Sequence, residues 1–158
     1  MVEARRLAAW LYGVAAGTYL LDRVTKLIVE RELAGRPPID LIPGVLSLTY
    51  TTNSGGAFGL ARSAPLLFVG ATLIVAGAIV AASRRLTKRT VAIALGLILG
   101  GALGNLTDRA IHGSGLRGSV TDFIDLHVWP VFNLADSAIV VGAIVLAVSG
   151  WGRERDGA

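Results

Sequence analysis

The run VAIALGLILGGALGNLTDR, residues 91–109, decides the architecture. Its first fourteen positions carry no charge, and four of the first fourteen are glycine. Then Asn105, Asp108 and Arg109 arrive within five positions. An apolar segment of this kind fits a helix crossing a bilayer, where roughly 20 mostly apolar residues suffice. Small residues let such helices approach closely, because lipid gives no hydrophobic reason for them to associate. Polar side chains at one end of the span are costly there and mark a functional site by default.

Three comparable stretches lie outside this one. Counted along the 158 residues, the expected spans are about 7–29, 65–82, 91–106 and 132–148. The chain is 53% hydrophobic and 16% charged, with a mean hydropathy of +0.64. Soluble domains carry about 25% charged residues, so the composition favours a membrane protein of one domain. Arg5 and Arg6 before the first run also suit a signal peptide. The run is too long for one and three more follow, so a retained span is expected.

Charge sets orientation. Arg5 and Arg6, the group Arg84, Arg85, Lys88 and Arg89, and Arg153 with Arg155 fall on one side of a four-span chain. Basic loops stay cytoplasmic, so both termini are expected inside, and the first and third connections outside. The net charge of +4 is explained this way without nucleic acid as a partner. In the first outer loop Leu46, Leu48 and Tyr50 alternate with Ser47, Thr49 and Thr51, the pattern of a half-buried strand. The fold expected is an all-α integral membrane protein with four transmembrane helices and a small extracytoplasmic β element.

Cysteine is absent, which removes thiolate chemistry and disulfides. His112 and His127 are the only histidines, and neither sits in a zinc-protease frame. No metal and no cofactor is expected. Carboxylates and amides remain. Asp22 and Lys26 are one turn apart in the first span and share a face; they read either as an ion pair that eases insertion or as part of a site. Asn53 leads into a glycine run, Gly55-Gly56-Ala57-Phe58, which reads as a turn or as a binding loop. Asp108 and Arg109 suggest a structural ion pair, while Asn105 reads either as part of the helix end or as a group that orients a neighbouring carboxylate. Asp136 falls in the first turn of the last helix, where free N–H groups favour an anion. Asp122 is brought to the same interface, with Asp125 as its competitor.

Two carboxylates held close share a proton, because both cannot ionise cheaply. One then activates water as a base, while its partner donates to a scissile carbonyl. That is aspartic peptidase chemistry. A serine–lysine peptidase built on Lys26 and Ser54 leaves the carboxylates unexplained. A small proton-coupled transporter is the alternative from another class, and it predicts acids at several depths rather than at one face.

The ordered motifs Asp22 to Lys26, Asn53 with Gly55 to Phe58, Gly100 to Arg109, Val120 to Asp125 and Phe132 to Asp136 resemble those of the lipoprotein signal peptidases, also called signal peptidase II. The resemblance covers nearly the whole chain. It implies cleavage of the signal peptide from prolipoproteins carrying a diacylglyceryl-modified cysteine, just N-terminal to that cysteine, near the outer face of the bacterial cytoplasmic membrane. It implies Asp122 and Asp136 as the catalytic pair. Asp22, Lys26, Asn53, Gly55, Ala57, Phe58, Asn105, Asp108, Arg109 and Asn133 are then substrate-binding or supporting residues. It further implies a β cradle on the membrane surface, contact with membrane lipid, and inhibition by globomycin-type cyclic peptides. A monomer suffices for this chemistry.

Overall fold

The structure is a computed structural model and describes residues 2–54, 65–113 and 115–155. Gly55, Ala57 and Phe58 lie outside the described residues. Helix α1 runs Val2–Leu33, α2 Pro65–Ala82, α3 Arg89–Ile111 and α4 Leu134–Arg155. Strands β1 (Ile39–Ile42), β2 (Leu46–Asn53) and β3 (Val120–Asp125) form one antiparallel sheet in the order β1-β2-β3.

Helix α3 is central, and its glycines explain why. On α1 one stripe is buried: Leu7, Leu11, Ala15, Thr18, Asp22, Lys26, Val29 and Leu33, spaced three or four apart. Gly96, Gly100 and Gly104 of α3 face that stripe. A Cβ on Gly96 would lie 2.6 Å from the Leu11 carbonyl oxygen, and one on Gly100 would lie 2.5 Å from that of Ala15. A Cβ on Gly104 would fall on the Asp22 carboxylate. Gly101 turns the other way, onto the Ala135 carbonyl of α4, and Gly142 of α4 returns the contact against Ala94. Backbone therefore meets backbone on both sides of α3.

Helix α2 keeps the boundaries expected from its sequence. It leans on α3 and leaves most of its surface open, with Leu67 72% and Ile74 74% exposed. The stretches 66–85 and 89–111 are long and apolar enough to cross a bilayer. The apolar run of α4, 134–149, is shorter, and α1 carries Asp22, Arg23 and Lys26 inside its own. Leu20, Leu21, Val24, Leu27 and Ile28 on α1 and Val140, Val141, Ile144 and Val148 on α4 are also exposed. Apolar surface of this extent, on several helices at once, is what lipid covers and water does not.

Strand β2 occupies the segment whose alternation predicted it. Leu48 and Tyr50 pack on a cluster of Val29, Leu33 and Phe123. Ser47, on the face expected to be open, is buried, because the turn at 125–127 covers it. The third connection, for which no strand is expected from the sequence, is also ordered. It forms β3, with Thr51 opposite Asp122 and Asn53 opposite Val120. Its first four residues are buried on both faces, so its sequence shows no period of two. The fourth helix begins at Leu134 rather than at Phe132, which bridges to Ile124.

Candidate active site

Asp122 reaches the helices because the chain doubles back after α3. Gly118 donates its N–H to the Arg109 carbonyl at 3.0 Å, and a Cβ there would meet that oxygen at 2.6 Å. Two residues later β3 begins, and Asp122 lies 2% exposed among the ends of α1, α3 and α4.

Asn133 immediately precedes α4 and caps it. Its side-chain oxygen accepts the Asp136 N–H at 2.9 Å, and the Asp136 carboxylate accepts the Asn133 N–H at 3.3 Å. This is a reciprocal capping box, with Asp in the place usually held by Glu or Gln. The next free N–H of the helix, that of Ala135, goes to Asp22 at 3.0 Å. The cap leaves the Asn133 amide nitrogen free to act elsewhere. It donates to Asp122 at 2.6 Å and to the Asn105 oxygen at 3.2 Å. One carboxamide therefore touches both aspartates.

Asn105 completes the arrangement. Its nitrogen donates to Asp136 at 2.8 Å, while its oxygen accepts from Lys26 at 2.9 Å and from Asn133. Two donors at the oxygen and an acceptor at the nitrogen leave this amide a single satisfied orientation. Lys26 is fully buried. Beyond Asn105, its ammonium lies 2.9 Å from Asp22 and 2.8 Å from Asp108. The Asp22 contact is an ion pair without hydrogen-bond alignment, so that oxygen has charge compensation but no donor aimed at it. Arg23 also pairs with Asp108, which further accepts the Thr121 N–H at 3.2 Å. Two cations and two carboxylates thus balance between α1 and α3, and one of them holds β3.

Asp108 and Arg109 do not form the ion pair expected between them. Neighbours on a helix point about 100° apart, so Asp108 faces α1 while Arg109 faces the cleft. There Arg109 donates to the Asn105 carbonyl at 3.2 Å, approaches the Phe68 ring at 6.0 Å to its centroid, and feels the charges of Asp136 and Asp122.

The cleft has a volume of about 280 Å³. Asn53, Asn105, Arg109, Asp122 and Asp136 line it, together with an apolar wall of Trp129, Val131, Phe132, Ile139 and Val140. Burial, and then the charge of Asp136, push Asp122 up to about 7, while hydrogen bonds from Asn133 and Asn53 and the charge of Lys26 act against the rise. Asp125 belongs to a different environment. It sits at odd spacing from Asp122 on the strand, accepts the His127 N–H at 2.7 Å and lies 3.7 Å from the His127 ring. His127 lies 3.4 Å from the Ser47 hydroxyl, which is closed to solvent, so this row of three ties β2 to the turn.

Of the residues singled out from sequence, Asp22, Lys26, Asn53, Asn105, Asp108, Arg109, Asp122, Asn133 and Asp136 form one connected group. Arg23 was passed over. Its position inside an apolar run, beside Asp22, was the available signal. The apolar wall was also unforeseen, because its members look like ordinary span residues. Among the described residues no group of three or more His, Cys, Asp or Glu side chains is arranged to hold a metal ion.

The family model described as signal peptidase (SPase) II matches residues 14–151. A lipoprotein signal peptidase of Streptomyces griseus is 44% identical over 160 residues, covering 98% of this chain and 80% of the relative. One from Pelotomaculum thermopropionicum is 43% identical over 140 residues, covering 87% and 89%. A solved structure described as a bacterial membrane enzyme matches with a TM-score of 0.80 at 27% identity, covering 92% of this chain and 89% of that one.

Proposed function

The chain belongs to the signal peptidase II family, and from that premise we propose that it is a membrane aspartic endopeptidase with Asp122 and Asp136 as its catalytic pair. Its substrate is a prolipoprotein bearing a diacylglyceryl-modified cysteine, cut on the N-terminal side of that cysteine. The single observation that carries the assignment is the Asn133 carboxamide, which donates to the Asp122 carboxylate and accepts the Asp136 backbone N–H, with both aspartates lining one cleft.

The raised Asp122 holds its proton near neutrality and donates to the scissile carbonyl, making the carbon more electrophilic. Asp136 takes a proton from water, which attacks that carbon. Asn105 and the Asn133 N–H hold Asp136 by its two oxygens, so its position costs little reorganisation during reaction. The proton gained by Asp136 then passes to the leaving amine, and the pair returns to one shared proton. Arg109 faces both carboxylates from α3 and limits their mutual repulsion. Asp22, Lys26 and Asp108 act through Asn105 and through the N-terminus of α4.

The four helices act as four spans with both termini in the cytoplasm. This puts the dyad near the extracytoplasmic face, with the sheet on that surface as a cradle. The wall of Val131, Phe132, Ile139 and Val140 suits an acyl chain or the signal helix arriving sideways from the bilayer. Globomycin-type cyclic peptides would occupy the same cleft. One chain supplies every group in the scheme, which supports a monomer.

The test uses purified wild type, Asp122→Asn, Asp136→Asn and Asp125→Asn in detergent. Each receives a diacylglyceryl-modified prolipoprotein and an unmodified control. Wild type and Asp125→Asn are expected to cut the modified substrate alone, and the other two variants to fold and not cut. Undiminished cleavage by Asp122→Asn or Asp136→Asn removes that residue from the chemistry.

A further inference from the structure

A second cavity, of about 720 Å³, lies at the end of the bundle remote from the dyad. Its floor is Val91 and Leu95 of α3. Leu95 is ten residues before Asn105, about 15 Å along the helix. The flanks are Ala81 and Ala82 at the end of α2 and Leu146 of α4. Both flanking helices lean on α3, and the space between them over α3 is the cavity. Arg85 and Lys88 stand at its rim.

These cations belong to a set of four in positions 84–89, with no acid among them. Arg89 is occupied, lying over the Trp10 ring at 3.7 Å to its centroid. Arg84, Arg85 and Lys88 are exposed, and among the described residues no carboxylate is in ion-pair contact with any of the three. Topology alone requires positive charge on this side. It does not require an apolar recess directly beneath the charge. Hydrocarbon walls under paired cations match a molecule with an anionic head and an apolar body.

We propose that this cavity is a binding site for one anionic glycerophospholipid, with its phosphate between Arg85 and Lys88 and an acyl chain over Val91 and Leu95, between α2 and α4. A free phosphate would leave the apolar walls bare. A zwitterionic lipid would bring its own cation against the arginine. Basic recesses between spanning helices on the cytoplasmic side have the right chemistry for acidic headgroups. The proposal rests on the membrane placement given above and is independent of the dyad. Its readout does not involve cleavage, so failure of either leaves the other standing.

Native mass spectrometry of the full chain in detergent tests it, with phosphatidylglycerol and phosphatidylcholine of identical acyl chains added in turn. The variants are R85Q/K88Q, which removes the cations, and A82W, which fills the recess and leaves the charge. Thermal unfolding and size-exclusion chromatography check that both fold. Wild type is expected to retain one phosphatidylglycerol in preference to phosphatidylcholine. R85Q/K88Q should lose roughly 30-fold in that retention, about fivefold for each cation, and A82W should lose it as well. Excess soluble glycerol phosphate should not displace the lipid. Equal retention of the two lipids, an unchanged preference in R85Q/K88Q, undiminished binding by A82W, or displacement by glycerol phosphate each overturns the proposal.

Discussion

Replacing Lys26 by methionine keeps the length of the side chain and removes its charge and its donors. In the structure that ammonium is fully buried and meets the Asn105 oxygen at 2.9 Å, Asp22 at 2.9 Å and Asp108 at 2.8 Å. Removing one partner of a buried ion pair costs about 3–5 kcal/mol. Arg23 still compensates Asp108, which leaves Asp22 as the stranded charge and places the cost near the lower end, about 3 kcal/mol. For a chain of this size that is a fall of about 6–12 °C in Tm. Catalysis should suffer separately. Without the lysine, the Asn105 oxygen keeps only the longer Asn133 contact of its two donors, so the amide is held less firmly in its bond to Asp136. A hydrogen bond to a charged group contributes about 1.5–3 kcal/mol, so kcat should fall roughly 10- to 100-fold with KM little changed. The assay measures kcat and KM on a prolipoprotein in detergent, with thermal unfolding alongside, for Lys26→Met and for Lys26→Met combined with Asp22→Asn. The double variant removes the stranded charge and should regain stability without regaining kcat. A Lys26→Met enzyme with wild-type kcat, or a double variant with kcat restored, would refute the argument that Lys26 acts by holding Asn105.

Three further outcomes rest on the same geometry. Asp122 is raised to about 7, and in the proposed mechanism its protonated form is the one that donates, so kcat/KM should fall about tenfold per pH unit above that point. The linked stability has the same sign. The contribution of the Asp122 proton is complete below the unfolded value near 3.8 and is lost as pH rises through about 7; Asp122→Asn should therefore flatten the dependence of Tm on pH between about 4 and 7. Gly100→Ala and Gly101→Ala separate packing from positioning. Each new Cβ meets a backbone oxygen at 2.5 Å, and overpacking costs about 1–3 kcal/mol. Gly101 abuts Ala135, the neighbour of Asp136, so its variant should lose more activity per degree of Tm than Gly100→Ala.

Much of this was legible from residues because bilayers make polar groups conspicuous. Asp22, Lys26, Asn105, Arg109, Asn133 and Asp136 all stand out against apolar neighbours, and they converge in space. The bounds of α2 were readable for the same reason. Partnerships were not. Asp108 pairs with Arg23 and Lys26 across two helices, and adjacency in sequence pointed to Arg109 instead. Strand β3 was hidden because burial on both faces erases alternation. The separation of Asp122 from Asp125 needed that strand, since only a period of two sends residues 122 and 125 to opposite faces. The capping box at 133–136 was written in the sequence as Asn-Leu-Ala-Asp and becomes informative once both ends are seen to bond.

The central claim is that Asp122 and Asp136 feel one another as a pair. Infrared titration of the Asp122 carboxyl, with its band assigned by its loss in Asp122→Asn, measures this directly in wild type and in Asp136→Asn. The account predicts a midpoint near 7 in wild type and a clear downward move when the neighbouring charge is removed. A midpoint that stays in place in Asp136→Asn, or an Asp122 that titrates as an ordinary surface carboxylate in wild type, would contradict it.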